Sequence, residues 1–220
     1  MTVHALPEPG KAQQQRRVSG RLKMLIVMLM CAAPVIASYF TYYVVRPEGR
    51  RNYGDLIQPG RALPDVQAVA LDGKAVNLRS LKGQWLLVSV AGGACGAACE
   101  KNIYLQRQLR ESLGREKDRL DRVWLVTDDA PIAQALQTQV NSKALDAYAL
   151  RVPLASVTQW LEPTAGQQLG EQLYLVDPVG NWMLRFPANL EAAKAKRDLD
   201  RLLRAAASWD RAGRESGGRP

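Results

Sequence analysis

The sequence predicts an α/β domain, a mixed β-sheet flanked by helices, preceded by one transmembrane helix at the N-terminus. Three observations predict it. Residues 24–45, MLIVMLMCAAPVIASYFTYYVV, carry no charge. Two short continuous apolar runs, QWLLVSV (84–90) and the centre of DRVWLVTDD (121–129), read as buried strands and bracket a segment of helical periodicity. Two further stretches change direction at turn signals, Asp72-Gly73 and Asp177-Pro178-Val179-Gly180, as hairpins do. A strand–helix–strand crossover beside antiparallel hairpins gives a mixed sheet with helices on both faces.

Each element has its own warrant. Residues 1–23 are polar and rich in Gln and Arg, the composition of an unstructured cytoplasmic tail. The 22 residues of 24–45 would form a helix about 33 Å long, matching a bilayer core. Pro34 is tolerated within such a span, and Tyr39, Phe40, Tyr42 and Tyr43 crowd one end, where amphipathic rings favour the interface. The run is too long for the apolar region of a cleaved signal peptide. Cys31 follows Met30 rather than a small residue, so it reads as an apolar side chain within the span. Residues 46–62, with Pro and Gly breaks, read as a tether, and the ordered domain is expected over 63–208 with a flexible tail at 209–220.

Within that domain, VQAVALDGKAVNL (66–78) gives the first hairpin and 84–90 the first buried strand. Gly92-Gly93 breaks the chain, after which Ile103, Leu105, Leu109 and Leu113 recur near helical spacing and Gly114 stops the helix. The second buried strand follows. Residues 131–150 read as helix with Pro131 near its start. EQLYLVDPVGNWMLRFP (171–187) gives the second hairpin. A last helix starts from Asn189 as N-cap, with Leu190, Ala193, Leu199, Leu202 and Leu203 as its apolar stripe.

Charge narrows the function classes. The chain is +9 overall, but residues 1–23 hold five basic side chains against Glu8, a net of +4. The rest is diluted, with no basic element interleaved with aromatics, so nucleic acid is not an expected partner. The basic bias ahead of the span places the N-terminus inside. The globular domain then lies outside the cytoplasm, where disulfides persist.

The chemistry concentrates in VSVAGGACGAACEKN (88–102), which holds Cys95 and Cys99, two of the three cysteines. Three small residues separate them at a strand-to-helix join. If the helix begins near Cys95, positions i and i+4 share a face and the sulfurs meet. A helix N-terminus favours thiolate, which is both the nucleophile of exchange and a soft ligand for Cu(I). Gly96, Ala97 and Ala98 leave the sulfurs sterically open, and Cys95, the more N-terminal, is the expected attacker. A copper site, a redox couple and a structural staple are all compatible with the pair, although so short a loop gains little from cross-linking. Glu100 can move protons during exchange or complement the helix dipole. Asp128-Asp129 is expected to cap the helix near Pro131. Trp85, Trp124, Trp160, Trp182 and Trp209 are expected as core or surface anchors.

The order of pieces resembles the thioredoxin superfamily and, within it, the Sco proteins of cytochrome c oxidase assembly. The matching pieces are the N-terminal anchor at 24–45 and then, within residues 63 to 205, LPDVQAVALDGKAVNLRSLKGQWLLVSV, CGAAC, VWLVTDD and YLVDPVGNWMLRFP. The resemblance implies a thioredoxin-like fold on a single-pass inner-membrane anchor, facing the periplasm. It implies a thiol–disulfide oxidoreductase or metallochaperone in which Cys95 and Cys99 form the catalytic disulfide pair or hold Cu(I). Its partners would be the bilayer, through residues 24–45, and cytochrome c oxidase subunits or another copper or thiol assembly factor. Two departures qualify this. Glu100 stands where Sco proteins have Pro, and Leu169 stands where they carry a copper-binding histidine. The single histidine, His4, falls on the other side of the membrane from the cysteines. Loss of imidazole weakens Cu(II) binding more than Cu(I) binding. Gln167, Gln168 or Met183 would serve as a further donor only if the fold brings one of them near, which the sequence does not show. A non-catalytic assembly scaffold with a structural disulfide, and a general periplasmic dithiol reductase, are the rival readings.

Overall fold

The computed structural model describes the backbone of residues 9–45, 52–140 and 147–208. His4, Trp209 and the 209–220 tail lie outside the described residues. The chain divides into two units, residues 1–50 and 51–220.

The first unit is helix α1, Pro9–Phe40, continued by a π-helical turn at Thr41–Val45. Its stretch Gly20–Tyr43, 24 residues, is long and apolar enough to cross a membrane. Pro34 and the exposed Cys31 lie within it. The backbone is already helical from Pro9, where an unstructured tail through residue 23 was expected. The Ala, Gln and Arg residues there are good helix formers, so a helix nucleated in the apolar span can extend into them.

Among the described residues the second unit has eight strands: β1 (Asp55–Ala62), β2 (Gln67–Ala70), β3 (Ala75–Asn77), β4 (Trp85–Ala91), β5 (Leu120–Val126), β6 (Ala147–Arg151), β7 (Leu173–Val176) and β8 (Asn181–Phe186). Their order across the sheet is β1-β8-β7-β4-β5-β6-β2-β3. The central β4, β5 and β6 run parallel, and the remaining pairings are antiparallel. This is the expected mixed sheet. Helices α2 (Ala97–Ser112), α3 (Gln134–Val140), α4 (Leu154–Trp160) and α5 (Ala192–Ala206) complete it.

Strand alternation divides the interior. Leu86, Val88 and Val90 of β4 join Val123 and Leu125 of β5, Trp182 of β8 and Trp160 of α4 in one core. Trp85 and Leu87 point the other way, to Leu105 and Leu109 of α2 and Leu199 and Leu203 of α5. All four tryptophans among the described residues, Trp85, Trp124, Trp160 and Trp182, are buried. Both hairpins turn where expected. Gly73 and Gly180 adopt φ of +82° and +97°, conformations that side chains with a Cβ disfavour. Gly114, at φ +58°, follows the end of α2.

Four sequence-based expectations are corrected. Residues 55–62, read as tether, form edge strand β1 against β8. Its register breaks between Leu56 and Arg61, around Pro59-Gly60, and proline is tolerated at an edge or bulge. Residues 131–150 are not one helix: α3 ends at Val140, and 147–151 form β6 between β5 and β2. The AYAL run is buried on both faces there, so tertiary packing overrides its helix-forming residues. Asn189 does not cap α5. Glu191 occupies the N-cap without a capping hydrogen bond from its side chain, which accepts Lys194 Nζ instead, and the Asn189 carbonyl accepts the Tyr53 hydroxyl at 3.1 Å. Ala193 is exposed, the buried stripe of α5 being Ala195, Asp198, Leu199, Leu203 and Ala206. Asp198 belongs there because its carboxylate accepts the Tyr53 and Gly54 N–H groups at 2.7 and 2.9 Å, fixing the chain that leads into β1.

Burial also makes one tyrosine sensitive to pH. Tyr174 is enclosed beside Trp182, ring centroids 5.7 Å apart, and its hydroxyl donates to the Leu169 carbonyl at 3.2 Å. Desolvation raises its phenol above the ordinary value of 10.0, with the Arg185 charge opposing weakly. The unfolded chain therefore ionises first, and Tyr174 contributes stability that declines as pH rises above about 10. Tyr174→Phe is expected to cost about 1 kcal/mol at pH 8 for the lost hydrogen bond and to flatten the fall between pH 9 and 11. Urea midpoints across that range check it.

Candidate functional site: the cysteine turn

Parallel pairing of β4 with β5 sets Ala91 beside Val126, so the loops that follow these strands are neighbours. The first is Gly92–Gly96, leading into α2; the second is Thr127–Ala130. Cys95 and Cys99 are joined, S–S 2.04 Å and Cα–Cα 5.1 Å. Contrary to the expectation that the helix begins near Cys95, Cys95 is not helical. Gly96 is the N-cap of α2, and Cys95 precedes it at φ +43°. Its N–H donates to the Gly92 carbonyl at 3.1 Å, closing a tight turn. The two sulfurs meet because a turn folds back over the first turn of a helix, rather than through i,i+4 spacing on one face.

Nor are the sulfurs open. Cys95 is 5% exposed and Cys99 6%, so the more N-terminal residue has no advantage in access. They pack with Ile103, Trp124, Val126, Ile132, Val140 and Ala149. The residues flanking them in sequence, Ala94, Gly96, Ala97 and Ala98, are small and all exposed. The left-handed conformation of Cys95 costs about 1–2 kcal/mol. Cross-linking so short a loop yields about 2 kcal/mol of chain entropy. The two nearly cancel, which weakens the staple reading.

What sequence reasoning missed is the hold on this turn. Asp128, expected to cap a helix, accepts the Gly93 N–H on Oδ1 at 2.7 Å and the Ala130 N–H at 3.2 Å. The helix it was assigned to begins later, at Gln134. Arg151, at the end of β6, donates Nη1 to the Asp128 carbonyl and Nη2 to the Ala130 carbonyl, the latter at 2.9 Å. A Cβ on Gly92 would collide with the Asp128 carboxylate, and one on Gly93 with the Ala130 carbonyl. The Gly-Gly pair, read as a chain break, is a contact surface. The signal was present: two glycines after one parallel strand and two aspartates after its neighbour.

Asn102 of α2 donates to the Gly170 carbonyl at 2.9 Å, bringing the short turn Leu169–Glu171 against α2 and β4. Leu169, at the position where Sco proteins carry histidine, packs as a half-buried apolar residue and offers no ligand atom. Gln168 is used in capping its own turn. Met183 packs among the α2–α5 residues, away from the cysteine cluster. The Gln167 Oε1 is buried without a hydrogen-bond partner. Among the described residues no three His, Cys, Asp or Glu side chains come together as a metal site. The donor set here is therefore two sulfurs, which suits Cu(I) once reduced and does not suit Cu(II). Glu100 is exposed in the first turn of α2, where its charge complements the helix dipole.

Comparison with known proteins agrees with this architecture. Yeast Sco1 with copper bound superposes with a TM-score of 0.54 at 12% identity, over 72% of this chain and 100% of that one. BsSco, a member of the Sco family of cytochrome c oxidase assembly proteins in which a disulfide switch was identified, gives 0.52 at 17%, over 71% and 99%. A putative electron transfer protein from Aquifex aeolicus VF5 gives 0.51 at 17%, over 66% and 94%. At these identities the likeness is one of fold. No curated protein matches the sequence. The model of the transmembrane-like, thioredoxin-like C-terminal domain matches residues 85–206, more than half of the chain. With its parallel β4–α2–β5 core, its antiparallel flanks and its helix of membrane-spanning length, the chain belongs to this transmembrane-like, thioredoxin-like family.

Proposed function

We propose that this protein is a membrane-anchored thiol–disulfide exchange factor that assists cytochrome c oxidase assembly, with Cys95 and Cys99 as its redox pair. The observation that carries the reading is the joined pair at the β4–α2 junction of a thioredoxin-like fold. In this reading residues 24–45 cross the inner membrane once, the tail before them is cytoplasmic, and the domain faces the periplasm. Its partners are oxidase subunits or another copper or thiol assembly factor. The likeness to Sco structures supports this choice of client, one of them being described as copper-bound and another as an oxidase assembly protein.

Copper enters as cargo. Two thiolates at the N-terminus of α2 favour Cu(I), and the donor set favours brief carriage over storage. Exchange is the primary activity, because it requires no third ligand.

The burial of both sulfurs favours one rival, an assembly scaffold whose disulfide is structural. The test is oxidase maturation in cells carrying Cys95→Ser/Cys99→Ser at normal protein level. Loss of mature oxidase supports the exchange reading; normal maturation establishes the scaffold. Cu(I) titration of the purified chain, reduced and oxidised, separates carriage from exchange. Stoichiometric binding to the reduced form alone supports carriage, and no binding leaves exchange as the whole activity.

A further inference from the structure

The reading above requires an incoming sulfur to reach a disulfide that is 5–6% exposed. The part that must move is identifiable. Cys99 is the third residue of α2, a helix tied down by Asn102 on Gly170. Cys95 sits on the turn Gly92–Gly96, where its two neighbours, Ala94 and Gly96, are small and exposed. A side chain at Gly96 would meet nothing within 4 Å, so the turn has room to swing outward. Holding it from the neighbouring loop is the Asp128 carboxylate on Gly93 N–H, with Arg151 fixing the Asp128 and Ala130 carbonyls.

We propose that Asp128, braced by Arg151, is a positioning residue that latches the cysteine turn and sets the rate at which a thiol partner reaches Cys95. The inference rests on the exchange reading. With the latch open, a thiolate of a partner dithiol attacks Cys95 Sγ. A new S–S bond forms to Cys95, the Cys95–Cys99 bond breaks, and its electron pair leaves on Cys99 Sγ as thiolate at the N-terminus of α2. The partner's second thiol then gives up its proton and displaces Cys95, which leaves with the electron pair and takes up a proton. The partner is oxidised by two electrons to its disulfide and this protein is reduced by two. Asp128 takes no part in the bonds made and broken.

The experiment measures the second-order rate of disulfide reduction by dithiothreitol in the detergent-solubilised full chain, counting thiols that appear beyond Cys31. Asp128→Ala is expected to speed reduction about tenfold, in line with one lost charged hydrogen bond at an exposed position. Asp128→Asn, which keeps the acceptor oxygen without the charge, should fall between it and the parent. Arg151→Gln should speed reduction in the parent and add little to Asp128→Ala. Each rate is repeated at low urea concentrations. An accelerated rate independent of urea is local opening and supports the latch. An acceleration that rises steeply with urea is global unfolding and overturns it, as do parental rates in both Asp128 variants. Dithiothreitol needs no biological partner, so the latch fails or holds separately from the oxidase-maturation test.

Discussion

Cys99→Ser protein, reduced and mixed with a disulfide-bearing client peptide, is expected to accumulate a covalent adduct through Cys95, whereas Cys95→Ser accumulates none. The asymmetry follows from backbone placement. Cys95 lies on the turn before the N-cap and moves when the turn swings; Cys99 is fixed in the first turn of α2. Exchange passes through a mixed disulfide that the second thiol resolves. Removing the resolving sulfur traps the intermediate, and removing the attacking one prevents it. Two-electron turnover should fall to background in both variants. Loss of the cross-link should leave each variant within about 1 kcal/mol of the oxidised parent, because the chain entropy lost is nearly offset as residue 95 leaves its left-handed conformation. Mass spectrometry of the adduct reads the attachment point. An adduct confined to Cys99 in Cys95→Ser would reverse the assigned roles, and adduct-free variants that still turn over would remove the cysteines from the chemistry.

Gly93→Ala is expected to be the most damaging single methyl in the site. The new Cβ would enter the space of the Ala130 carbonyl oxygen and approach its carbon to 3.0 Å. That carbonyl is held by Arg151, so it cannot yield cheaply. Overpacking of this kind costs about 3 kcal/mol, which corresponds to a melting temperature lower by on the order of 10 °C for a domain of this size. Gly96→Ala, with nothing within 4 Å of its Cβ, is the sterically matched control and should lose only a few degrees, alanine being a poorer N-cap than glycine. Differential scanning calorimetry of the pair decides it. Equal melting of Gly93→Ala and Gly96→Ala would mean the two loops are not in the tight contact described.

The sheet's centre was legible because its signals are local. WLLV and VWLV are unbroken apolar runs, and such runs between turn signals have few other uses than buried strands. Asp72-Gly73 and the Asp177–Gly180 turn mark their hairpins through backbone conformation, which the residue itself constrains. The apolar span and the cysteine spacing were likewise written in consecutive residues. By contrast, DLIQPGRA became a strand only because β8 offered it an edge, and AYAL became one only because β5 and β2 flank it. Neither partner is near in sequence.

The same division runs through the site. Sequence alone determined that two cysteines stand at a strand-to-helix junction, that no histidine accompanies them in the domain, and that a long uncharged segment precedes it. Tertiary structure decided that the sulfurs are buried, that Cys95 lies outside the helix, and that Asp128 holds the turn. Composition and spacing act through neighbours along the chain. Burial and hydrogen bonding between loops depend on which strand lies beside which, and that is fixed by packing of the whole sheet rather than by any one segment of it.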